Sequence, residues 1–472
     1  MNRIFISAAH KSSGKTTVCI GVCAALRARG HTVQPFKKGP DYIDPLWLTR
    51  AAGRPCYSLD AYLMSGSEIR DELARRSCGA DLALIEGNKG LYDGLDLDGS
   101  NSNAALAALT ATPVVLVIDA RGMTRGIAPL ILGYQAFDRN VRIAGVILNQ
   151  LGGTRHEAKL RAVIEHYTDV PVMGAIQHDE RMAISERHLG LVPSNESPAA
   201  GARIDAIAAS VAAQVDLDRL LALARQATRL PPPTLAPAAG TATGLRVRIG
   251  IARDAAFAFY YPGDLDALTA AGADLVSFDT LRSAALPPVD GLFIGGGFPE
   301  THMDALSANR KLRGELHAAI EAGMPVYAEC GGLMYLARGI EWNGRSAAMV
   351  GAIPADIVMH ERPVGRGYVN LRETGHGLWP RDGAAGTRTI RAHEFHYSSV
   401  ENLPSATRFA YDVERGHGID GRHDGIIHKN LLASYAHLRD VGSHHWAARF
   451  VDFVRRCNVH RRPRAELAKG YS

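Results

Sequence analysis

Short apolar runs that end in polar or glycine-rich turns recur through the first half of the chain. Ile4, Phe5 and Ile6 read as a buried strand, residues 7–13 are small or polar as a tight loop requires, and residues 18–26 carry apolar side chains at helical spacing. The runs 31–36, 80–86 (ADLALIE), 113–119 (PVVLVID), 141–149 (VRIAGVILN) and 170–176 predict further strands. PVVLVID and VRIAGVILN are almost continuously apolar, the pattern of central parallel strands covered on both faces. Strand, loop and amphipathic helix in alternation predict an α/β fold with a doubly wound sheet.

The pattern breaks at 230–244, LPPPTLAPAAGTATG, where prolines and small residues leave little to anchor a core. That composition is a linker signal. The strand pattern then restarts with RVRIGIA at 246–252, a helix carrying Leu265 and Leu268, and short strands at 274–278 and 291–294. The expected organisation is a first domain over 1–228, a linker over 229–245, a second α/β domain over 246–455 and a basic tail over 456–472.

Composition narrows the class. At 472 residues the chain exceeds what one core serves, and 46% apolar residues exclude a disordered chain. The net charge of +5 is modest, and the tail cluster of Arg455, Arg456, Arg461, Arg462, Arg464 and Lys469 lacks the stacking or base-reading residues of a nucleic-acid face. No apolar run is long enough for a bilayer span, and no secretion signal opens the chain. Six cysteines, at 19, 23, 56, 78, 330 and 457, form no CxxC pair. Free thiols in a reducing, cytoplasmic setting are the expectation.

Chemistry concentrates in the turns. Ser13-Gly14-Lys15-Thr16-Thr17 opens a helix directly after a strand, the context of a phosphate loop. Backbone N–H groups there can surround phosphate, Lys15 can reach the β and γ phosphates of ATP, and the Thr16 hydroxyl can join a Mg²⁺ shell. Ala9 stands where such loops usually carry glycine, which is tolerable if that residue needs no positive φ. In KKGPDYIDP two lysines and two acids share a Gly/Pro-rich turn; Asp41 is a candidate metal ligand, and Lys37 or Lys38 can offset phosphate or substrate charge. Glu86 ends a buried strand and is the second acidic metal candidate. The loop GNKGLYDG contributes Lys89, Tyr92 and Asp93, and Asn149 ends a strand where a nucleotide base can be met. Lys37, Lys38, Lys89, Tyr42 and Tyr92 place positive charge and apolar area in these loops.

In the second half, PVYAECGGL delivers Cys330 from a strand through a sharp turn into a helix, the geometry that exposes a nucleophile. A thiolate there would gain from the positive helix end. A base is needed; His437 is the best placed candidate, His393 and His396 are competitors, and His302 and His360 are weaker ones.

SSGKTT, KKGPDYIDP, SLDAYLM, EGNKGLYDG, PVVLVIDARG, GVILN, GGGFPE, AECGG, HEFHYS and SYAHL occur in this order over roughly residues 3–450. Together the chain resembles the cobyrinic acid a,c-diamide synthase family of glutamine amidotransferases. The resemblance implies an N-terminal P-loop NTPase-like amidoligase domain related to dethiobiotin synthetase and a C-terminal class I-like glutaminase domain. It makes Cys330 the nucleophile, His437 its base, and the turn containing Gly296 and Gly297 a source of oxyanion-hole N–H groups. His437 is followed by Leu438 and Arg439, so the usual histidine-x-glutamate ending is missing and the third partner is left unidentified. Glutamine would supply ammonia, and Mg-ATP would activate a carboxylate of a polycarboxylate tetrapyrrole as an acyl phosphate. Ammonia must cross shielded from water, so a closed interface between the domains is expected. The family amidates the a and c acetates of cobyrinic or hydrogenobyrinic acid; close relatives use nickel-sirohydrochlorin or sirohaem. The loop starts HKSSGKTT and DLDGSNSNA depart from the commonest pattern. A homodimer is compatible with this reading. The rival of another class is a non-catalytic P-loop nucleotide switch, which would want a lysine where His10 stands and has no use for Cys330.

Overall fold

The computed structural model describes the chain except for residues 188–189, 232–244, 380–388, 443 and 470–472, and the side chains of 187 and 459–469. Contacts divide it into two units, Met1–Thr234 and Leu235–Ser472. The proline-rich stretch expected as a linker falls almost wholly on the undescribed residues 232–244.

In the first unit, seven strands form one sheet: β1 (Arg3–Ala8), β2 (Val33–Lys38), β3 (Tyr57–Leu59), β4 (Leu82–Glu86), β5 (Val114–Asp119), β6 (Ile143–Leu151) and β7 (Val172–Gln177). They are all parallel, in the order β3-β2-β4-β1-β5-β6-β7. The helices are α1 (Lys15–Ala28), α2 (Ile43–Ala52), α3 (Gly66–Arg76), α4 (Asn103–Leu109), α5 (Ile127–Phe137) and α6 (Thr154–Tyr167), with α7 (Ala200–Gln214) and α8 (Leu217–Ala224) following a short hairpin of β8 (Glu186–Arg187) and β9 (Gly190–Leu191). Because β1 lies between β4 and β5, the loop after β1 opens at the carboxyl edge where the connections part to either side, the usual ligand crevice of such sheets.

One stretch differs from its sequence pattern. Lys37 and Lys38 were expected in a Gly/Pro-rich turn; they end β2 and are buried, at 1% and 3% exposure. Acidic and carbonyl acceptors at the sheet edge make that burial tolerable, as described below. Asp44 and Pro45, placed in the same turn, lie in the first turn of α2, where proline lacks only a donor the helix does not use.

The second unit carries a nine-stranded sheet in the order β12-β10-β13-β15-β24-β23-β22-β19-β20. Its first strands are β10 (Val247–Ala252), β11 (Phe257–Phe259), β12 (Ala273–Phe278), β13 (Gly291–Ile294), β14 (Gly296–Gly297) and β15 (Val326–Glu329), with α9 (Pro262–Ala270), α10 (Met303–Ala308) and α11 (Arg310–Glu321) between them. After α12 (Gly331–Leu336) come β16 (Gly339–Trp342), β17 (Arg345–Ala348), β18 (Asp356–Met359), β19 (Gly365–Glu373), β20 (Thr389–His396), β21 (Ser398–Glu401), β22 (Arg408–Arg415), β23 (His423–His428) and β24 (Leu431–Ser434). The sheet is parallel from β12 to β24 and antiparallel beyond. β16, β17, β18 and β21 make a separate small sheet, and β11 pairs with β14. The last helix, α13 (Trp446–Lys469), packs Trp446 and Phe450 onto Phe293 and Tyr327 of the central strands. The backbone of the expected basic tail continues this helix as far as Lys469; residues 470–472 lie outside the described residues. No described helix is long and apolar enough to cross a membrane. All six cysteines are free, and burial pushes the thiols of Cys19, Cys23 and Cys56 up.

Helix α1 leans on α7 through Gly21, where a Cβ would stand 2.3 Å from Val211 Cγ2. Gly21→Ala should therefore lower the thermal unfolding midpoint: overpacking costs about 1–3 kcal/mol and the helix-propensity gain returns only about 1. Combining it with Val211→Ala makes room for the methyl group, so the double variant should be more stable than the sum of the single effects predicts.

Candidate active sites

The phosphate loop is shaped by two left-handed residues, Ser12 at φ 63° and Gly14 at φ 81°. Gly14 is also pressed by Asn149, whose Nδ2 would lie 2.2 Å from a Cβ there. Ala9 is not among the positive-φ residues, which is why alanine serves where glycine is usual. The Ser13 hydroxyl donates to His10 O at 2.8 Å, and buried Asn149 donates to Ser13 O at 2.9 Å. Asn149 thus buttresses the loop from β6 through its amide nitrogen. Lys15, Thr16 and Thr17 form the first turn of α1. Burial pulls the Lys15 ammonium below its ordinary value, and Lys37 adds to that pull.

Beneath Lys15 lies a nest of carboxylates around one cation. Lys37 Nζ stands 2.5 Å from Asp44 Oδ2, 2.9 Å from Glu86 Oε1 and 3.7 Å from Asp41 Oδ2. Burial works to neutralise this ammonium, but the three acids outweigh it and hold the group well above the ordinary lysine value. The Thr16 hydroxyl donates to Glu86 Oε1 at 2.5 Å and lies 3.2 Å from Asp44 Oδ2. Asp41, the acid singled out from sequence, uses Oδ1 to accept the N–H groups of Ile43 and Asp44 at 2.9 and 3.1 Å. Burial and the neighbouring Asp44 push it up to about 7. Asp44, which the sequence reading passed over, is the acid that reaches Thr16; its signal was an acid beside Pro45 at a helix start.

Threonine hydroxyl and carboxylate oxygens are the donors Mg²⁺ prefers. Glu86 Oε2 is buried with no hydrogen-bond partner among the described residues, which leaves an acceptor to spare. No group of three or more His, Cys, Asp and Glu side chains forms a metal cage among the described residues. Mg²⁺ usually keeps waters and borrows phosphate oxygens rather than entering such a cage, so Thr16, Asp44 and Glu86 fit it.

The rim residues divide by task. Lys38 Nζ donates to Asn101 Oδ1 at 2.9 Å, to Asn101 O at 2.5 Å and to Asn88 Oδ1 at 3.3 Å, and burial pulls it down to about 8. Buried Asn103 accepts from Asn88 N at 3.1 Å and donates to Gly90 O at 2.9 Å. The asparagines of DGSNSN therefore tie down the GNKGLYDG loop. Asp93 accepts from Gly90 N at 2.9 Å within that loop, and Tyr92 donates to Tyr134 O at 2.5 Å while its ring lies 4.7 Å from that of Phe137. Lys89 is exposed at φ 39°, and Tyr42 is half-buried at the start of α2.

In the second unit, Cys330 sits between β15 and α12 at φ 48° and ψ −104°, a strained elbow for a non-glycine residue. Its N–H is tied to Ser434 O at 2.7 Å. A Cβ on Gly331 would stand 2.9 Å from Gly297 N, and one on Gly296 would stand 2.8 Å from His437 Cε1. The glycine turn therefore closes directly on the elbow and on the histidine. Burial pulls His437 down, but hydrogen bonds with Cys330 and Glu329 outweigh it and raise its pKa to about 10. Glu329 Oε2 lies 3.3 Å from His437 Nδ1. His393 is stacked on the His437 ring at 4.9 Å, and burial holds it well below the ordinary imidazole value. His396 is occupied by Ser398 O at 2.8 Å and by the ring of Tyr435 at 3.7 Å. His360 bonds Ser399 Oγ at 2.8 Å, and His302 immediately precedes α10. Of the competing histidines, His437 is the one whose pKa Cys330 raises. Glu329 was missed in the sequence, although it immediately precedes the nucleophile at a strand end.

Two family models match the chain: a CobQ/CobB/MinD/ParA nucleotide binding domain over residues 4–192 and a CobB/CobQ-like glutamine amidotransferase domain over residues 248–441. Full-length relatives decide the family. The chain is 47% identical to the cobyrinate a,c-diamide synthase of Magnetococcus marinus, over 96% of this chain and 97% of that protein. It is 42% identical to that of Methanosarcina acetivorans, over 98% and 97%, and 40% identical to that of Archaeoglobus fulgidus, over 95% and 96%. The chain belongs to the cobyrinate a,c-diamide synthase family. In this member of the family, Lys15, Thr16, Asp44 and Glu86 fall in the first matched region, and Glu329, Cys330 and His437 fall in the second.

Lys37→Met leaves Asp44 and Glu86 facing each other without a cation, which should cost about 3–5 kcal/mol of stability. The thermal midpoint should fall, and added Mg²⁺ should restore more of it in the variant than it adds to the wild type. His437, with an ordinary value of 6.5 and a folded value of about 10, adds stability that is complete below 6.5 and is lost as pH rises through about 10. The midpoint advantage of wild type over His437→Asn should therefore shrink on going from neutral pH to pH 10, as followed by calorimetry.

Proposed function

We propose that the protein is a glutamine-dependent carbon–nitrogen ligase that uses Mg-ATP to amidate the a and c acetate carboxylates of cobyrinic or hydrogenobyrinic acid. The observation that carries this reading is end-to-end similarity to cobyrinate a,c-diamide synthases with both chemical sites inside the matched regions. A nucleotide switch would leave the Cys330–His437 couple without a task. The six free cysteines favour a reducing compartment such as the cytoplasm.

At the glutaminase site, Cys330 Sγ attacks the glutamine carboxamide. The oxyanion forms beside the N–H groups of the Gly296–Gly297 turn. His437 passes the proton to the departing ammonia, and then takes one from the water that hydrolyses the thioester to glutamate. At the synthetase site, a substrate carboxylate oxygen attacks the γ-phosphorus of ATP, giving an acyl phosphate and ADP; ammonia then displaces phosphate. Lys15 offsets charge on the transferring phosphoryl oxygens. Thr16, Asp44 and Glu86 would hold Mg²⁺, which when bound neutralises phosphate charge. Lys89, Tyr42 and Tyr92 supply charge and apolar area beside that site, while Lys38 and Asp93 shape the loop that presents them.

Cys330→Ala should lose glutamine-dependent amidation by at least about 10³-fold and keep ammonia-dependent amidation within about twofold. Lys15→Ala should lose amidation with either nitrogen source, because the γ-phosphoryl charge is then uncompensated. Unchanged glutamine-dependent product formation by Cys330→Ala would refute the glutaminase assignment.

A further inference from the structure

Cysteine–histidine amidotransferase couples need a carboxylate to orient the imidazole, and the position two residues after His437 cannot supply it. That residue is Arg439, whose guanidinium lies 4.2 Å over the ring of Tyr261. We propose that Glu329, the residue immediately before the nucleophile, is the orienting carboxylate of His437. The inference rests on the reading of Cys330 as nucleophile and His437 as its base.

The strand register brings the parts together. Tyr327 and Glu329 are two apart on β15 and so face the same side of the sheet. Glu329 pairs in register with Ser434 on β24, and the chain leaving β24 carries His437 and Leu438 back across the Glu329 side chain. Tyr327 OH donates to Glu329 Oε1 at 2.6 Å, and Leu438 N donates to the same oxygen at 2.9 Å. Tyr327 is itself fixed by Phe293, stacked at 5.3 Å, and by Trp446 at 4.9 Å. One carboxylate oxygen is therefore clamped by two donors on rigid elements, while Oε2 faces His437 Nδ1 at 3.3 Å. Glu329 is only 3% exposed, so the carboxylate does not have solvent as an alternative. An acceptor at Nδ1 fixes the tautomer in which Nδ1 carries the proton, and it leaves Nε2 to exchange a proton with Cys330. Glu329 touches neither glutamine nor the reacting atoms; it is a positioning residue acting through His437. His437 faces Cys330, Glu329 and His393, with Tyr261 and Arg439 beyond His393 and Asp264 3.8 Å from Arg439.

Full-length Glu329→Gln and Glu329→Asp variants test this with glutamine and with ammonia as nitrogen sources. Glu329→Gln should lower glutamine-dependent kcat by up to about 10⁴-fold, the loss when the orienting acid of such a triad becomes an amide. The KM for glutamine and ammonia-dependent amidation should stay within about threefold of wild type. The alkaline limb of the pH profile for glutamine turnover should move to lower pH, because the imidazolium loses its carboxylate. Glu329→Asp, which keeps the charge, should restore that limb toward the wild-type position. Glu329→Gln with turnover within about threefold of wild type would overturn the proposal while leaving Cys330 as nucleophile intact. An unmoved alkaline limb, or one shifted equally by Glu329→Asp, would also overturn it. Full glutamine-dependent turnover in Cys330→Ala would instead remove the underlying reading.

Discussion

Moving an ionised carboxylate out of water costs several kcal/mol unless other groups replace the lost hydration. Both sites carry such a carboxylate to the carboxyl end of a buried parallel strand, Glu86 on β4 and Glu329 on β15. In the first unit the compensation is cationic. Lys37 spans Glu86 and Asp44, and the Thr16 hydroxyl binds both. This holds the first turn of α1 beside the acids, so the phosphate loop and the candidate metal ligands are fixed as one assembly. In the second unit the compensation is by hydrogen bonds from Tyr327 and Leu438, with the second oxygen turned to His437. The same physical problem has two solutions, and each leaves one carboxylate oxygen facing the chemistry.

Loops then complete the sites by close backbone approach. Asn149 holds Ser13, Asn103 and Lys38 hold the GNKGLYDG loop, and the Gly296–Gly297 turn closes against Gly331 and His437. Polar side chains used in this way are buried, and their hydrogen bonds shape the loops around the sites. Lys38 illustrates the distinction from Lys37, its neighbour. Alternation along β2 sends one lysine to the acids and the other to the asparagine-rich rim.

Much of this was legible in the sequence because its patterns are local. Continuous apolar runs marked β5 and β6, and strand–turn–helix order marked both Lys15 and Cys330. The boundaries moved where the pattern met buried charge: β2 continues through Lys37 and Lys38, since acceptors from distant segments pair both ammonium groups. Asp44 and Glu329 were missed for a related reason. Each stands beside a residue with a stronger signal, and its role depends on partners 42 and 108 residues away in the chain, Glu86 and His437. His437 already led the histidines of HEFHYS and SYAHL in the sequence; the structure adds that the His393 ring stacks on that of His437, behind the couple with Cys330. The short strand β3 carries only Tyr57–Leu59 and offered no period to read.

The central claim is that these two sites together convert carboxylates of a corrin-type macrocycle into primary amides. Its most direct test supplies the purified protein with glutamine and Mg-ATP and, in parallel, cobyrinic acid, hydrogenobyrinic acid, nickel-sirohydrochlorin and sirohaem, with mass spectrometry of each macrocycle. The account predicts conversion of both the a and c acetates to amides on cobyrinic or hydrogenobyrinic acid, dependent on ATP. Conversion of nickel-sirohydrochlorin or sirohaem alone, or no mass change on any of the four, would contradict it.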